Sequence, residues 1–231
     1  MKGFYWVLCG LLVLALFPAV SQAGIGSEFN GMGSFGGSLG VMRWFADSDA
    51  REYTAPPGDP IGGGGTAQIR PMLRASFRYR NTEKWVFCVD AGFGWNSYPD
   101  TDDLTLRVIP FTAGLERRIG EFSGATTYLG FGGGFYHWVL RRGRHVQLDP
   151  ETYKELSSTE PGVYGSLTGE FHLSKNVSIT TQTAVHFIYS VHSDDFKGTL
   201  GGNDIFAEMR LGLNCYFSPT TGFGSDEEES N

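Results

Sequence analysis

Three shortages frame this 231-residue sequence: basic charge, cysteine and long apolar runs. Lysine and arginine together number 18 against 25 aspartates and glutamates, so no cationic surplus points to nucleic acid. Cysteine occurs three times, at Cys9, Cys88 and Cys215. Cys9 precedes most of the N-terminal apolar block, the wrong place for lipid attachment. The other two could form one disulfide in an oxidising compartment. Their facing argues against it: Cys88 shares a strand face with Asp90, whereas Cys215 alternates with an apolar set, so two free thiols are expected. The apolar block from Phe4 to Phe17 falls short of the roughly 20 residues a spanning helix needs. The five histidines, His137, His145, His172, His186 and His192, show no metal-ligand spacing, and no cofactor is expected.

What the N-terminus does carry is Lys2, that short apolar block, and Ser21-Gln22-Ala23, a small-x-small cleavage signature. Residues 1–23 therefore read as a cleaved secretory signal. Residues 24–217 make one domain, rich in glycine and aromatics, and 218–231 an acidic tail, expected to be disordered, around Asp226, Glu227, Glu228 and Glu229.

The domain repeats one pattern. In 205–217, Ile205, Ala207, Met209, Leu211, Leu213, Cys215 and Phe217 alternate with Phe206, Glu208, Arg210, Gly212, Asn214 and Tyr216. Such period-two alternation is that of a strand with unlike faces. Residues 67–80 set Leu73, Ala75 and Phe77 against Arg70, Arg74, Arg78 and Arg80, and 85–96 set Phe87, Val89 and Phe93 against Cys88 and Asp90. The stretches 163–173 and 177–189 repeat it, with Glu170, His172 and His186 on the polar side. Segments 33–46, 104–117 and 125–139 alternate less cleanly. For 104–117 the outer set is taken as Ile109, Phe111, Ala113 and Leu115, a choice that a bulge near Pro110 would reverse. Eight strands result, all antiparallel in an all-β chain.

Their connections sort by length. Residues 81–84, 120–124 and 174–176 are short, while 47–66, 96–103, 140–161 and 190–204 are longer and polar. Short turns at one end and long loops at the other characterise a transmembrane barrel. In that setting the apolar faces meet lipid and the charges face the lumen, the inverse of a soluble barrel. Tyr79, Trp85, Phe171 and Phe217 then fall at the short-turn rim, and Phe45, Trp95 and Tyr189 at the long-loop rim, as two aromatic girdles.

The strand-turn-strand GSLTGEFHLSKNVSITTQTAVHF, the signal FPAVSQA and the closing EMRLGLNCYF resemble the small eight-stranded outer-membrane barrels of the OmpA-transmembrane, OmpX and OmpW type, over nearly the whole mature chain. The resemblance implies an eight-stranded up-and-down transmembrane β-barrel in the outer membrane, monomeric and non-enzymatic. It also implies handling by periplasmic chaperones and by the barrel-assembly machinery, which reads a C-terminal aromatic signal such as the one ending at Phe217. Here a 14-residue tail follows that aromatic, whereas family members usually end on it. An OmpW-like channel for small or hydrophobic solutes is the alternative function. A lipid-modifying enzyme is a weaker one, because HSDD (192–195) poorly matches a His-x-Ser nucleophile pair.

An eight-stranded lumen is only wide enough for its own side chains. Arg70, Arg74, Arg78 and Arg210 with Asp90, Glu170 and Glu208 are therefore expected to interlock as a charged plug, Arg74 pairing with Asp90 from the neighbouring strand. Arg43 and Arg107 intrude on the outward face near the long-loop ends, at the height of lipopolysaccharide phosphates. Outer-membrane lipid and lipopolysaccharide are thus the expected partners. GDPIGGGGT (58–66) lacks the Gly-Lys-Ser/Thr ending of a phosphate loop, and GFGGGF (130–135) lacks a following helix, so its glycines are assigned to strand curvature and lumen space. NVS at Asn176 falls in a tight turn and is given no role as a glycosylation acceptor.

Overall fold

Alternation of unlike side chains requires an extended chain, and extended chains with no free edge require closure. In the computed structural model, residues 29–44, 69–97, 104–122, 124–148, 153–189, 191 and 204–218 are described. The expected signal segment, the connections at 47–66, 98–103 and 192–203, Phe45 and the tail beyond Ser218 lie outside the described residues.

The strands are β1 (Gly33–Trp44), β2 (Arg70–Arg80), β3 (Trp85–Ser97), β4 (Leu104–Phe122), β5 (Ala125–Arg142), β6 (His145–Val146), β7 (Ser157–His172), β8 (Val177–Ile188) and β9 (Asp204–Phe217). β6 is a two-residue ladder that pairs only with β5, beyond the barrel proper. The other eight pair antiparallel, each with its chain neighbours, and β1 pairs with β9 to close the sheet. Stepping across paired residues from Gly33 through Tyr79, Phe87, Leu115, Phe131, Gly165, Val185 and Ala207 returns to β1 at Arg43, ten residues further along. A stagger of that size over eight strands tilts them by roughly 40° from the barrel axis, within the usual range.

The faces are inverted relative to a soluble protein. Phe35, Leu39, Leu73, Phe111, Phe131, Phe135, Val185 and Leu211 are exposed, while Arg74, Arg78, Asp90, Glu170 and Glu208 are buried. The outward set of β4 is Ile109, Phe111 and Leu115, with Thr112 and Glu116 inside. No bulge occurs at Pro110. Its ring falls where the ladder to β3 skips from Ala91↔Phe111 to Gly94↔Val108, so the missing N–H costs little there. The irregularity of β4 lies instead between Arg118 and Gly120, near the turn.

Two boundaries differ from the sequence expectation. β4 and β5 pair as far as Phe122↔Ala125, which shortens the turn expected over 120–124. β5 runs to Arg142 and β7 begins at Ser157, so much of the 140–161 connection is strand. The reason is physical: beyond the bilayer a ladder needs no apolar face, so alternation fades while backbone pairing continues.

The exposed face is a lipid-facing surface, and its tolerance of charge is testable. Leu73 lies mid-strand between Leu39 and Phe93. Leu73→Arg is expected to lower bilayer refolding stability by about 2 to 4 kcal/mol. Equal urea midpoints for variant and parent would remove Leu73 from the lipid face.

Candidate functional site

The interior is filled in layers, and each layer follows from what the inward positions offer. At the short-turn end, Phe29 folds back ahead of β1 and is almost wholly buried. Its ring stacks on His172 at 4.4 Å and lies 4.9 Å from Tyr216, with the Arg80 guanidinium 5.5 Å over it. Backbone bonds from Gly31 N to the Arg80 carbonyl and from Arg80 N to the Met32 carbonyl hold this segment in place.

Above it lies a lower ionic cluster of two arginines and two glutamates. Arg78 reaches Glu116 at 2.5 Å and Glu170 at 3.2 Å, and Arg80 reaches Glu170 at 3.1 Å. The remaining lone pairs are occupied: Ser178 and Tyr216 donate to Glu170, and Thr168 and Gln182 donate to Glu116. Arg80 also donates to the Tyr128 hydroxyl at 2.6 Å.

An upper cluster repeats the two-plus-two balance. Arg74 donates to Glu208 at 2.8 Å, and Arg210 donates to Asp90 at 2.8 Å. His186 lies between Glu208, 3.3 Å from Nε2, and the Tyr136 hydroxyl, 2.8 Å from Nδ1, with the Phe206 ring stacked on it at 4.3 Å. Arg210 also approaches Glu208 at 3.9 Å, linking the two pairs. Equal numbers of opposite charges in each cluster avoid an uncompensated buried ion, which would cost several kcal/mol.

Between the clusters is a cavity of about 20 Å³ bordered by Ser38, Cys88, Asp90, Glu116, Gln182 and Arg210, among others. That volume holds about one water. Toward the long-loop end the lumen holds an apolar layer, in which Met42, Met72, Leu106, Val108, Trp138, Leu140, Leu156, Ile188 and Phe206 pack together around Tyr136, with the buried Glu160 opposite Tyr136. Leu156 belongs to the segment returning from β6, and its N–H donates to the Gln147 carbonyl while its carbonyl accepts from Leu140.

Of the residues singled out in the sequence, Arg74, Arg78, Asp90, Glu170, Glu208 and Arg210 come together in these clusters. Arg70 lies outside both, one inward step from Met72 toward the long-loop end and opposite Met42. The pairing differs from the expected one. Arg74 meets Glu208 on β9, and Asp90 meets Arg210 on β9, so Arg74 and Asp90 are not partners. The cause is the inner column of β1, Ser34, Gly36, Ser38 and Gly40, which is too small to block a long side chain crossing from β2 or β3 to β9. A Cβ on Gly40 would stand 2.8 Å from the Arg210 Cβ.

Glu116 and Phe29 are members that sequence reasoning missed, while Arg80 and Tyr128, read as inward, were not counted in the expected plug. The parity of Ile109, Phe111, Ala113 and Leu115 places Glu116 inward and was the available signal. The glycines of 130–135 serve close approach: a Cβ on Gly132 would come within 2.6 Å of the Tyr164 ring. Cys88 is buried in the lumen and Cys215 is exposed on the outer face, both as free thiols. Arg43 and Arg107 lie on outward positions, opposite Ala207 and Val139 respectively.

A closed eight-stranded barrel with an apolar exterior and an ionic interior has the fold of the small outer-membrane barrels. No family model matches the sequence, and no curated protein does. Among solved structures, the chain is similar to the Neisserial surface protein A, with 13% identity over 81% of this chain and 98% of that one, at a TM-score of 0.54. It is also similar to OprG from Pseudomonas aeruginosa (12% identity, 84% and 99% covered, TM-score 0.47). The attachment invasion locus protein Ail of Yersinia pestis is a third (13%, 81% and 99%, TM-score 0.46). At these identities the likeness is one of fold.

Proposed function

We propose that this protein is an integral outer-membrane barrel that acts as a sealed scaffold, holding its long loops at the cell surface for binding or for envelope integrity. The observation that carries this reading is the filled lumen: an aromatic stopper, two balanced ionic clusters with room for about one water between them, and an apolar cap. An ion entering that interior would have to displace charge-assisted pairs on both sides of the cavity. In this reading the barrel is a monomer without enzymatic activity or cofactor, and its surroundings are outer-membrane lipid and lipopolysaccharide. The outward Leu211, Leu213, Cys215 and Phe217 of β9 are its signal to the barrel-assembly machinery, after delivery by periplasmic chaperones.

The native cysteines supply the test, used together with conductance in planar bilayers. The folded protein in bilayers is expected to be electrically silent. Cys88 should resist a membrane-impermeant thiosulfonate until urea unfolds the barrel, and Cys215 should react only with a lipid-soluble maleimide. Rapid labelling of Cys88 in the folded state, with measurable conductance, would replace the scaffold by a channel for small solutes.

A further inference from the structure

The outward positions of the eight strands carry four arginines and, among the described residues, no carboxylate: Arg43, Arg107, Arg117 and Arg141. Arg117 lies at the short-turn rim, 5.8 Å over the Trp85 ring. The other three lie at the long-loop rim. Snorkelling alone would favour neither rim, because both offer headgroups and water. Three against one instead matches a more anionic surface on the long-loop side.

Two of those three share one face of the barrel. Arg107 stands opposite Trp95 on β3 and opposite Val139 on β5, with His137 and Arg141 the two diagonal neighbours across that β5 pair. Diagonal neighbours on one sheet face lie about 7 to 8 Å apart, within reach of long side chains converging on one group. Arg141 donates through Nη2 to the Arg144 carbonyl, which holds its guanidinium in place, while its Nε is buried and unpartnered. His137 is fixed through Nδ1 by Thr159 at 3.0 Å. Trp95, packed on Phe93 at 5.9 Å, supplies an aromatic edge at headgroup height.

We propose that Arg107 and Arg141, flanked by His137 and Trp95, form a specific site for a phosphorylated glycolipid of the outer leaflet, its phosphate held between the two guanidinium groups and its acyl chains lying down the β3–β5 wall. Guanidinium pairs bind phosphate with directed, charge-assisted bonds, and the exposed Ile109, Phe111 and Phe135 continue the surface below them. This inference rests on the membrane placement proposed above.

The test uses the full-length mature chain refolded into nanodiscs containing bisphosphorylated lipid A among phosphatidylcholine, with retained lipid counted by native mass spectrometry after gentle extraction. The parent is expected to retain lipid A. Arg107→Ala with Arg141→Ala should reduce retention by about tenfold or more, while Arg117→Ala, at the opposite rim, leaves it unchanged. Arg107→Lys with Arg141→Lys should restore part of it. Heat-modifiable electrophoretic mobility reports folding independently. A folded double alanine variant that retains as much lipid A as the parent overturns the site, as does equal retention of dephosphorylated lipid A or of phosphatidylglycerol. Failure of the parent itself to insert would overturn the membrane reading instead.

Discussion

Glu170→Ala is expected to lower the stability of the bilayer-refolded barrel by about 3 to 5 kcal/mol, the cost of breaking a buried ion pair from one side. The carboxylate is fully buried, accepts three hydrogen bonds and faces a second guanidinium. Its Oε1 accepts from Ser178 at 2.7 Å and from Tyr216, and faces Arg78 at 3.2 Å, while Oε2 faces Arg80 at 3.1 Å. Removing it leaves Arg78 with Glu116 alone and Arg80 with only the Tyr128 hydroxyl. The lower cluster then carries one uncompensated positive charge above the aromatic stopper. Glu170→Gln preserves the shape and can still accept from the two hydroxyls, so its loss should be intermediate.

The exposed pair Arg118–Glu121, three residues apart beside the short turn, is the control. Water and salt screen such a pair, so Glu121→Ala should change stability by less than about 1 kcal/mol. Urea midpoints of the three variants, each compared with the parent, check the ordering. Equal losses for Glu170→Ala and Glu121→Ala would mean that the lumen is wet and that its ion pairs are screened like those outside.

The facing of the strands was legible because a barrel in lipid repeats one simple rule along every span: apolar out, polar in. Phe77 and Phe87, or Leu211 and Leu213, need no partner to be recognised as outward. Partner choice inside the barrel was not legible, because strand order measures distance along the wall and not across it. In so narrow a lumen an arginine reaches past its neighbour wherever that neighbour is small, and β1 offers only serine and glycine at its four central inward positions. The apolar cap was hidden for another reason. Where inward residues turn apolar, as at Leu106 and Val108 on β4, both faces of a strand look alike, and the alternation that marks the inside disappears. Phe29 gave no periodic signal at all, since it precedes the first strand and acts through a single buried ring.

The crossing over β1 makes a prediction that separates partners by pairing and not by sequence adjacency. Arg74 donates to the Glu208 carboxylate through both Nε, at 3.2 Å, and Nη2, at 2.8 Å, whereas Asp90 is bound to Arg210. Arg74→Ala and Glu208→Ala should each cost about 3 to 5 kcal/mol, since each strands the other's charge in a dry interior. The double variant should lose less than the sum, with a coupling of about 1 to 3 kcal/mol. Arg74→Ala combined with Asp90→Ala should be close to additive, within about 0.5 kcal/mol, because the two groups share no bond and communicate only through Arg210. Filling the gap in β1 should act on both pairs at once: Gly40→Val places branched carbons beside the Arg210 Cβ and should push that side chain off Asp90. The measurement is urea-induced unfolding in bilayers for the two cycles and the Gly40 variant. A large Arg74–Asp90 coupling with an additive Arg74–Glu208 cycle would restore neighbour-strand pairing and remove the crossing over β1 as the organiser of the upper cluster.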